Sequence, residues 1–300
     1  MDHSDFPDPD VVDRALDQAV QAPSVHNSQP WIWHVDGQSL QLRADPRKYL
    51  RHTDPDGRDL LISCGASLHH CTVALAALGW RATVRRLPDP THPALLAGVT
   101  VSRQRPDDLD MLLAGAIGRR RTDRRTYSPM PVPWGDIAVM GARAARAGVM
   151  LRQIHEIPRL SAIVADAVSR RAEDPDYLTE LNGWGGRRGP IPGEPAGNGG
   201  GESNGVVVAL GTESDDCLSR LRAGEAASLV LLSATAMGLA SCPITEPLEI
   251  VETREEVRTD VFGSDAYPQM LIRLGFAPVD AEPLPATPRH TPKKDAFARG

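Results

Sequence analysis

Ala22-Pro23-Ser24-Val25-His26-Asn27-Ser28-Gln29-Pro30-Trp31 is the stretch on which the reading of this 300-residue chain turns. It joins a helical pattern to a hairpin pattern through two prolines, two serines, an asparagine and a glutamine. Proline restricts the backbone, and short polar side chains with exposed N–H groups then converge on one place. Donors and acceptors of this kind suit a flat heteroaromatic ring with carbonyl and N–H edges. An ordinary capped loop fits the same residues equally well.

The pattern outward from this loop is regular. Upstream, Asp10 can cap a helix in which Val11, Val12, Ala15, Leu16 and Ala19 recur at helical spacing until Pro23 stops it. Downstream, Trp31-Ile32-Trp33-His34-Val35 and Leu40-Gln41-Leu42 flank Asp36-Gly37, a hairpin signal. The apolar, Ala- and Leu-rich run from Leu60 to Gly79 predicts a buried helix closed by glycine. Strands are expected at Ala82–Val84 and Ala97–Val101.

A second series follows: helices over about 107–120 and 134–147, a strand at 149–154, a helix at 158–171, a continuous apolar strand at 206–210, a long helix at 220–239 and a last strand at 270–275. The helix end Ala77-Leu78-Gly79 is echoed by Ala236-Met237-Gly238. This order predicts an α+β fold of two degenerate tandem halves, residues 1–105 and 106–300. Gly and Pro dominate between about 173 and 205, where a loop such as a lid is expected, with Trp184 and Ile191 as apolar residues to set down.

Arg119-Arg120-Arg121-Thr122-Asp123-Arg124-Arg125 places five arginines in seven positions. Such a cluster repels itself unless it faces solvent or an anion. Guanidinium forks suit phosphate oxygens, and Thr122 adds a hydroxyl donor. After the second long helix comes Ser241-Cys242-Pro243-Ile244-Thr245-Glu246.

Together these strings resemble the FMN-dependent nitroreductase family. Ala-Pro-Ser-x-x-Asn-x-Gln-Pro-Trp is similar to that family's flavin loop, which implies flavin contacts from Pro23, Ser24, Asn27 and Gln29. The arginine string is similar to the Arg-Arg-Ser-x-Arg opening that holds the FMN phosphate. It points first to Arg121 and Arg125, then to Thr122 and Arg124. The turn at Pro243, Ile244 and Thr245 resembles the family's Cys-Pro-Ile-Glu-Gly turn beside the flavin ring, with Thr245 in place of the usual Glu. Arg289 stands where the family supplies another phosphate-binding cation.

The loop occurs only in the first half and the arginine cluster only in the second. The resemblance therefore implies a nitroreductase-like internal pseudo-dimer with one complete flavin site, as in the Acg-like branch. His69 and His70 share that branch's look, but as residues they read as helix positions near an interface. The implied activity is hydride transfer from NAD(P)H through FMN to a nitro or quinone-like aromatic acceptor, with no catalytic acid or base side chain. The alternative is an FMN-sequestering protein whose lid covers the flavin.

Composition bounds the rest. A net charge of -6 argues against nucleic acid as the partner. No apolar run approaches the ~20 residues of a membrane span, and the acidic N-terminus carries no signal-peptide core. Cys64, Cys71, Cys217 and Cys242 form no CxxC and no metal quartet, so small buried hydrophobes in a reducing cytoplasm are expected. A fused pseudo-dimer can remain a monomer or pair again as a homodimer.

Overall fold

The computed structural model describes residues 6–184, 205–291 and 294–295. In the first half, α1 (Pro9–Ala19) precedes the hairpin β1 (Trp31–Val35) and β2 (Leu40–Ala44), the long helix α2 (Arg58–Ala77), and the strands β3 (Trp80–Arg86) and β4 (Leu95–Arg103). Helix α3 (Asp108–Ile117) leads into the second half. There follow α4 (Trp134–Arg146), β5 (Met150–Ile154), α5 (Ile157–Ala172), α6 (Pro175–Gly183), β6 (Val206–Thr212), α7 (Cys217–Ala236), β7 (Ala240–Ile244), α8 (Glu246–Glu249), α9 (Val251–Phe262), β8 (Tyr267–Gly275) and the short β9 (Lys294–Asp295).

The strand orders are β3-β4-β2-β1-β9 and β5-β6-β8-β7. Reversed, the second is β7-β8-β6-β5, the order of the first half repeated strand for strand. All pairings are antiparallel except β1 with β9. The α+β fold of duplicated halves expected above is what the chain forms.

Helices α2 and α7 are both twenty residues long and cross glycine on glycine. A Cβ on Gly65 would lie 2.1 Å from the Leu221 carbonyl oxygen, and one on Gly224 would lie 2.0 Å from that of Ile62. The contact is reciprocal: Leu221 packs in the first half's core and Ile62 in the second half's. His69 and Ser228, 159 residues apart, meet along the same seam, and Gly65 and Gly224 share that spacing. By length and composition α2 could cross a membrane, yet it is largely buried inside the protein.

The two sheets are covered differently. In β3, residues from Arg81 onward alternate between half-buried and exposed, because helices α1 and α2 cover one face only. Strands β6 and β8 are buried almost throughout, between a core built on α4 and α7 and another built on α5, α8 and α9. This explains the unbroken apolar run at 206–210.

Several boundaries differ from expectation for local reasons. Helix α1 starts at Pro9, whose fixed φ suits the first helical turn, with Asp8 rather than Asp10 at the cap. Residues 175–183 are helical: the Asp174 carboxylate caps the Asp176 and Tyr177 N–H groups and Pro175 opens the helix. The rest of the expected lid, 185–204, lies outside the described residues. Helices α8 and α9 fill the stretch between β7 and β8, and Cys217 is exposed while the other three cysteines are buried.

Candidate functional site

The loop between α1 and β1 is strained and held shut from several sides. His26, Asn27 and Gln29 all adopt positive φ, at 48°, 57° and 52°. Left-handed backbone at a residue with a Cβ costs about 1–2 kcal/mol. Such strain persists only where the surroundings over-determine it. Here the Asn27 N–H donates to the Ser24 carbonyl at 3.1 Å and the Ser28 N–H to that of Val25 at 2.9 Å. The Gln29 N–H donates to Ser24 Oγ at 3.0 Å, and the Val25 N–H to Ser63 Oγ on α2 at 3.2 Å.

The C-terminal tail closes the other side. Asn27 Nδ2 donates to the Pro288 carbonyl at 3.1 Å, the Arg289 guanidinium donates to Asn27 Oδ1, and the His290 N–H donates to Gln29 Oε1 at 2.8 Å. Pro23, Ser24 and Asn27 are half-buried.

The tail thereby carries Arg289 to the arginine segment that follows α3. Arg120 is only 4% exposed, and neither its Nε nor its Nη1 has a hydrogen-bond partner among the described residues. The Nε atoms of Arg121 and Arg289 are likewise buried and unpartnered there. Burial holds Arg120 down to about 9, with the charges of Arg289 and Arg121 adding to the effect. Arg289 is held down to about 10 by burial and by Arg121. Three guanidiniums thus converge with no carboxylate partner among the described residues; Arg121 and Arg289 spend other nitrogens on the Gly118, Arg120 and Gln21 carbonyls and on Asn27, and the orphaned donors fit a multiply charged anion.

The other residues of the string go elsewhere. Arg125 is clamped to Asp123 through two nitrogens, at 3.0 and 2.7 Å, and donates to the Glu282 carbonyl. Thr122 forms a parallel bridge with Ser241, and the Asp123 N–H donates to the Ser241 carbonyl. This lays the arginine segment alongside β7. Arg124 is exposed, and its charge acts on both His26 and Cys242.

On its His26 side the loop feels carboxylates as well as Arg124 and Arg171. Burial lowers the pKa of His26, while Glu246 and Glu180 oppose the shift. Pro243 and Ile244 belong to β7, and Thr245 begins the turn into α8. The Thr245 N–H donates to Glu246 Oε2 at 3.2 Å and its hydroxyl to Glu249 Oε1 at 2.9 Å. Burial, with Asp59 and Glu246 nearby, pushes Glu249 up to about 8. A cationic end and a carboxylate-rich end therefore flank the strained loop.

Helix α6 lies across this region. Tyr177 meets His26 edge to face at 6.5 Å, and Glu180 accepts from the His52 and Thr53 N–H groups at 3.2 and 2.7 Å. Lys48 Nζ sits 4.7 Å from the centre of the Trp184 ring. A separate cavity of about 440 Å³ opens between Val20, Gln29, Trp31, Trp33, Lys48 and His290; it touches the loop at Gln29 but includes none of the arginines.

Of the positions read from the sequence, the structure gathers Ser24, Asn27, Gln29, Arg121 and Arg289 around one place, while Thr122 is bridged to β7, the strand that carries Pro243 and Ile244 and leads into Thr245. Arg125 is turned into an ion pair. Arg120 escaped sequence reasoning because five neighbouring arginines look alike until burial separates them.

No family model matches the chain. Over 310 residues it is 54% identical to Rv3131 of Mycobacterium tuberculosis H37Rv, a protein named as an NAD(P)H nitroreductase, covering 95% of this chain and 90% of that one. It is 35% identical over 315 residues to the same organism's protein named as the NAD(P)H nitroreductase acg, covering 93% of each. Among solved structures, iodotyrosine deiodinase bound to FMN and 3-iodo-L-tyrosine aligns with TM-score 0.45 and 17% identity over 62% of this chain and 97% of that one. An FMN-bound nitroreductase of Bacteroides fragilis aligns with TM-score 0.44 and 16% identity over 59% and 94%.

Proposed function

This chain belongs to the NAD(P)H nitroreductase family, and from that premise we propose that it binds one FMN between its halves and passes hydride from NAD(P)H to nitro or quinone-like acceptors. The observation that carries the reading is the convergence of Arg120, Arg121 and Arg289 on unpartnered, buried donors beside a strained polar loop. That donor set fits a phosphate monoester. FMN, once bound, supplies the redox chemistry by accepting and releasing hydride.

The protein's part is to hold and to tune. Arg120, Arg121 and Arg289 would take the phosphate. Ser24, Asn27 and Gln29 would present polar edges to the ring, with the β7 end at Pro243, Ile244 and Thr245 as the opposing border. Where α6 excludes water from the site, each of these electrostatic contacts is strengthened. Neither Cys242 nor Glu249 is in a form that donates negative charge at neutral pH, since burial pushes the thiol up to about 11 and the carboxyl to about 8. The division into units 1–105 and 106–300 belongs to the same reading: one flavin per chain, drawing on both.

The fixed cover also favours a second reading. Tyr177, Glu180 and Trp184 tie α6 onto His26, the 52–53 backbone and Lys48, which suits an FMN-sequestering protein that denies access to nicotinamide. Anaerobic mixing of the flavin-loaded chain with NADH and with NADPH separates the two. Bleaching of the visible flavin band is expected for the oxidoreductase. No bleaching with either donor would overturn it in favour of sequestration, and a purified chain that binds no FMN would overturn both.

A further inference from the structure

His70 lies within reach of the charges of Arg120 and Arg289 and has no role in the proposed function. It stands on α2 with 0% exposure, next to the crossing with α7. Its Nδ1 is 3.0 Å from the Ala66 carbonyl and 2.8 Å from Ser228 Oγ. A carbonyl can only accept, so Nδ1 carries the proton in the neutral ring. The Ser228 hydroxyl then accepts from His70 and gives its own hydrogen to His69 Nδ1, 2.8 Å away.

This assignment leaves Nε2 of His70 as a bare lone pair on the opposite side of the ring. Nε2 is buried and has no partner among the described residues. The charges acting on the ring come from Arg120, from Arg289 on the tail, and from His69 on its own helix. Burial and these cations together hold the imidazole in its neutral form well below its ordinary pKa. A neutral, acceptor-only nitrogen under the charges of Arg120 and Arg289 is matched to the site without an anion. Once a dianion sits among the arginines, it offsets most of their charge and offers an acceptor, so the same nitrogen is more readily protonated.

We propose that His70 is a fourth anion donor of this site, taking a proton from solvent onto Nε2 as a phosphate monoester dianion binds and returning it in a hydrogen bond to that phosphate. The inference rests on the flavin reading only for the identity of the ligand. It makes FMN binding a proton-coupled event, whereas riboflavin, which lacks the phosphate, binds without proton uptake. It also places a residue of the first half's central helix in the phosphate site, beside arginines from the second half and the tail.

Titration calorimetry of the flavin-free chain with FMN and with riboflavin, each in two buffers of different ionisation heat, tests this. FMN is expected to bind the wild-type chain with uptake of close to one proton, and riboflavin with none. The His70→Gln variant should bind FMN about tenfold more weakly, without proton uptake, as expected for losing one hydrogen bond to a charged group. Its riboflavin affinity should be unchanged. Proton uptake that persists in His70→Gln, or an equal loss of FMN and riboflavin affinity, would overturn the proposal.

The ring nitrogens of His70 in the isotopically labelled wild-type chain report the same event with no substitution. Nε2 should move to the imidazolium position on adding FMN, and an unmoved resonance would overturn the proposal even if the variant failed to fold. Inorganic phosphate serves as a second probe. Phosphate binding with proton uptake but no FMN binding would sink the flavin reading and leave the anion site standing. Binding of neither would sink both.

Discussion

Eleven residues, 20–30, connect α1 to β1 in the first half, whereas three, 147–149, connect α4 to β5 at the matching place in the second. The short connection ends α4 with Gly148 at φ +74°, and the Gly148 and Val149 N–H groups close on the Ala145 and Ala144 carbonyls. The long one instead contains three strained non-glycine residues, held by α2 and the tail. The second half has its own additions: the arginine segment before α4, helices α5 and α6 between β5 and β6, and α8 and α9 between β7 and β8. What the halves share is the scaffold, namely the strand order and the crossing of α2 with α7. What they do not share are the polar loop and the arginine segment, which in the proposed reading make one site between them.

The shared scaffold should be the harder to disturb without penalty. Gly224→Ala and Gly65→Ala each force a methyl group into backbone of the facing helix. Either should cost at least about 3 kcal/mol of stability, at the upper end of overpacking effects. Chemical denaturation should show the two variants losing similar amounts in a single transition. A loss confined to one half would break the equivalence drawn here.

The unshared parts should separate binding from folding. Arg120→Met is expected to weaken FMN affinity about a hundredfold, the scale of losing charge-assisted hydrogen bonds, with little loss of stability because no carboxylate is left behind. Arg125→Met should do the reverse, since it strands the buried Asp123 carboxylate while leaving FMN affinity near wild type. Fluorescence titration of flavin and thermal unfolding of the same samples read both.

Glu249 tests the border added by α8. Its folded pKa of about 8 lies above the ordinary 4.5, so the folded state holds the proton over that window. The stability this contributes is complete below about 4.5 and is lost as pH rises through about 8. Glu249→Gln should therefore be more stable than wild type at pH 9, by on the order of 4 kcal/mol, and show little difference at pH 5, as read by thermal unfolding. An advantage that grew toward acid would contradict the assignment.

The smallest effect is expected in the loop. Asn27→Ala removes its ties to Pro288 and Arg289 and should weaken FMN binding about tenfold, roughly 1.4 kcal/mol. Asp36→Ala in the nearby hairpin turn, where Asp36 Oδ1 accepts from Gln38 and Ser39, should leave FMN binding unaffected while costing some stability.

Much of the fold was legible in the chain. Helix α2 and strand β6 could be read because long apolar runs have few ways to be buried, and the repeated Ala-x-Gly helix ends at 77–79 and 236–238 showed the duplication. The helices at 175–183 and 246–262 were missed although cues existed: Asp174-Pro175, Glu246-Pro247, and Gly263 after a charged helical run. Those cues are local and weak next to the Gly- and Pro-rich composition around the first and the turn-like Cys-Pro-Ile-Thr-Glu-Pro before the second.

Within the site, sequence alone singled out a polar loop and a cluster of arginines, and left open whether the one was a plain capped loop and the other a solvated face. It could not rank Arg120 against Arg121, Arg124 and Arg125, since five identical side chains carry identical chemistry. The tertiary structure separates them by burial and pairing. It buried Arg120 with no carboxylate partner among the described residues, gave Arg125 to Asp123, carried Arg289 across on the tail, and set the buried His70 under the charges of Arg120 and Arg289. A charge becomes a binding group when folding removes its water and its counterion together, and only long-range packing sets where that happens.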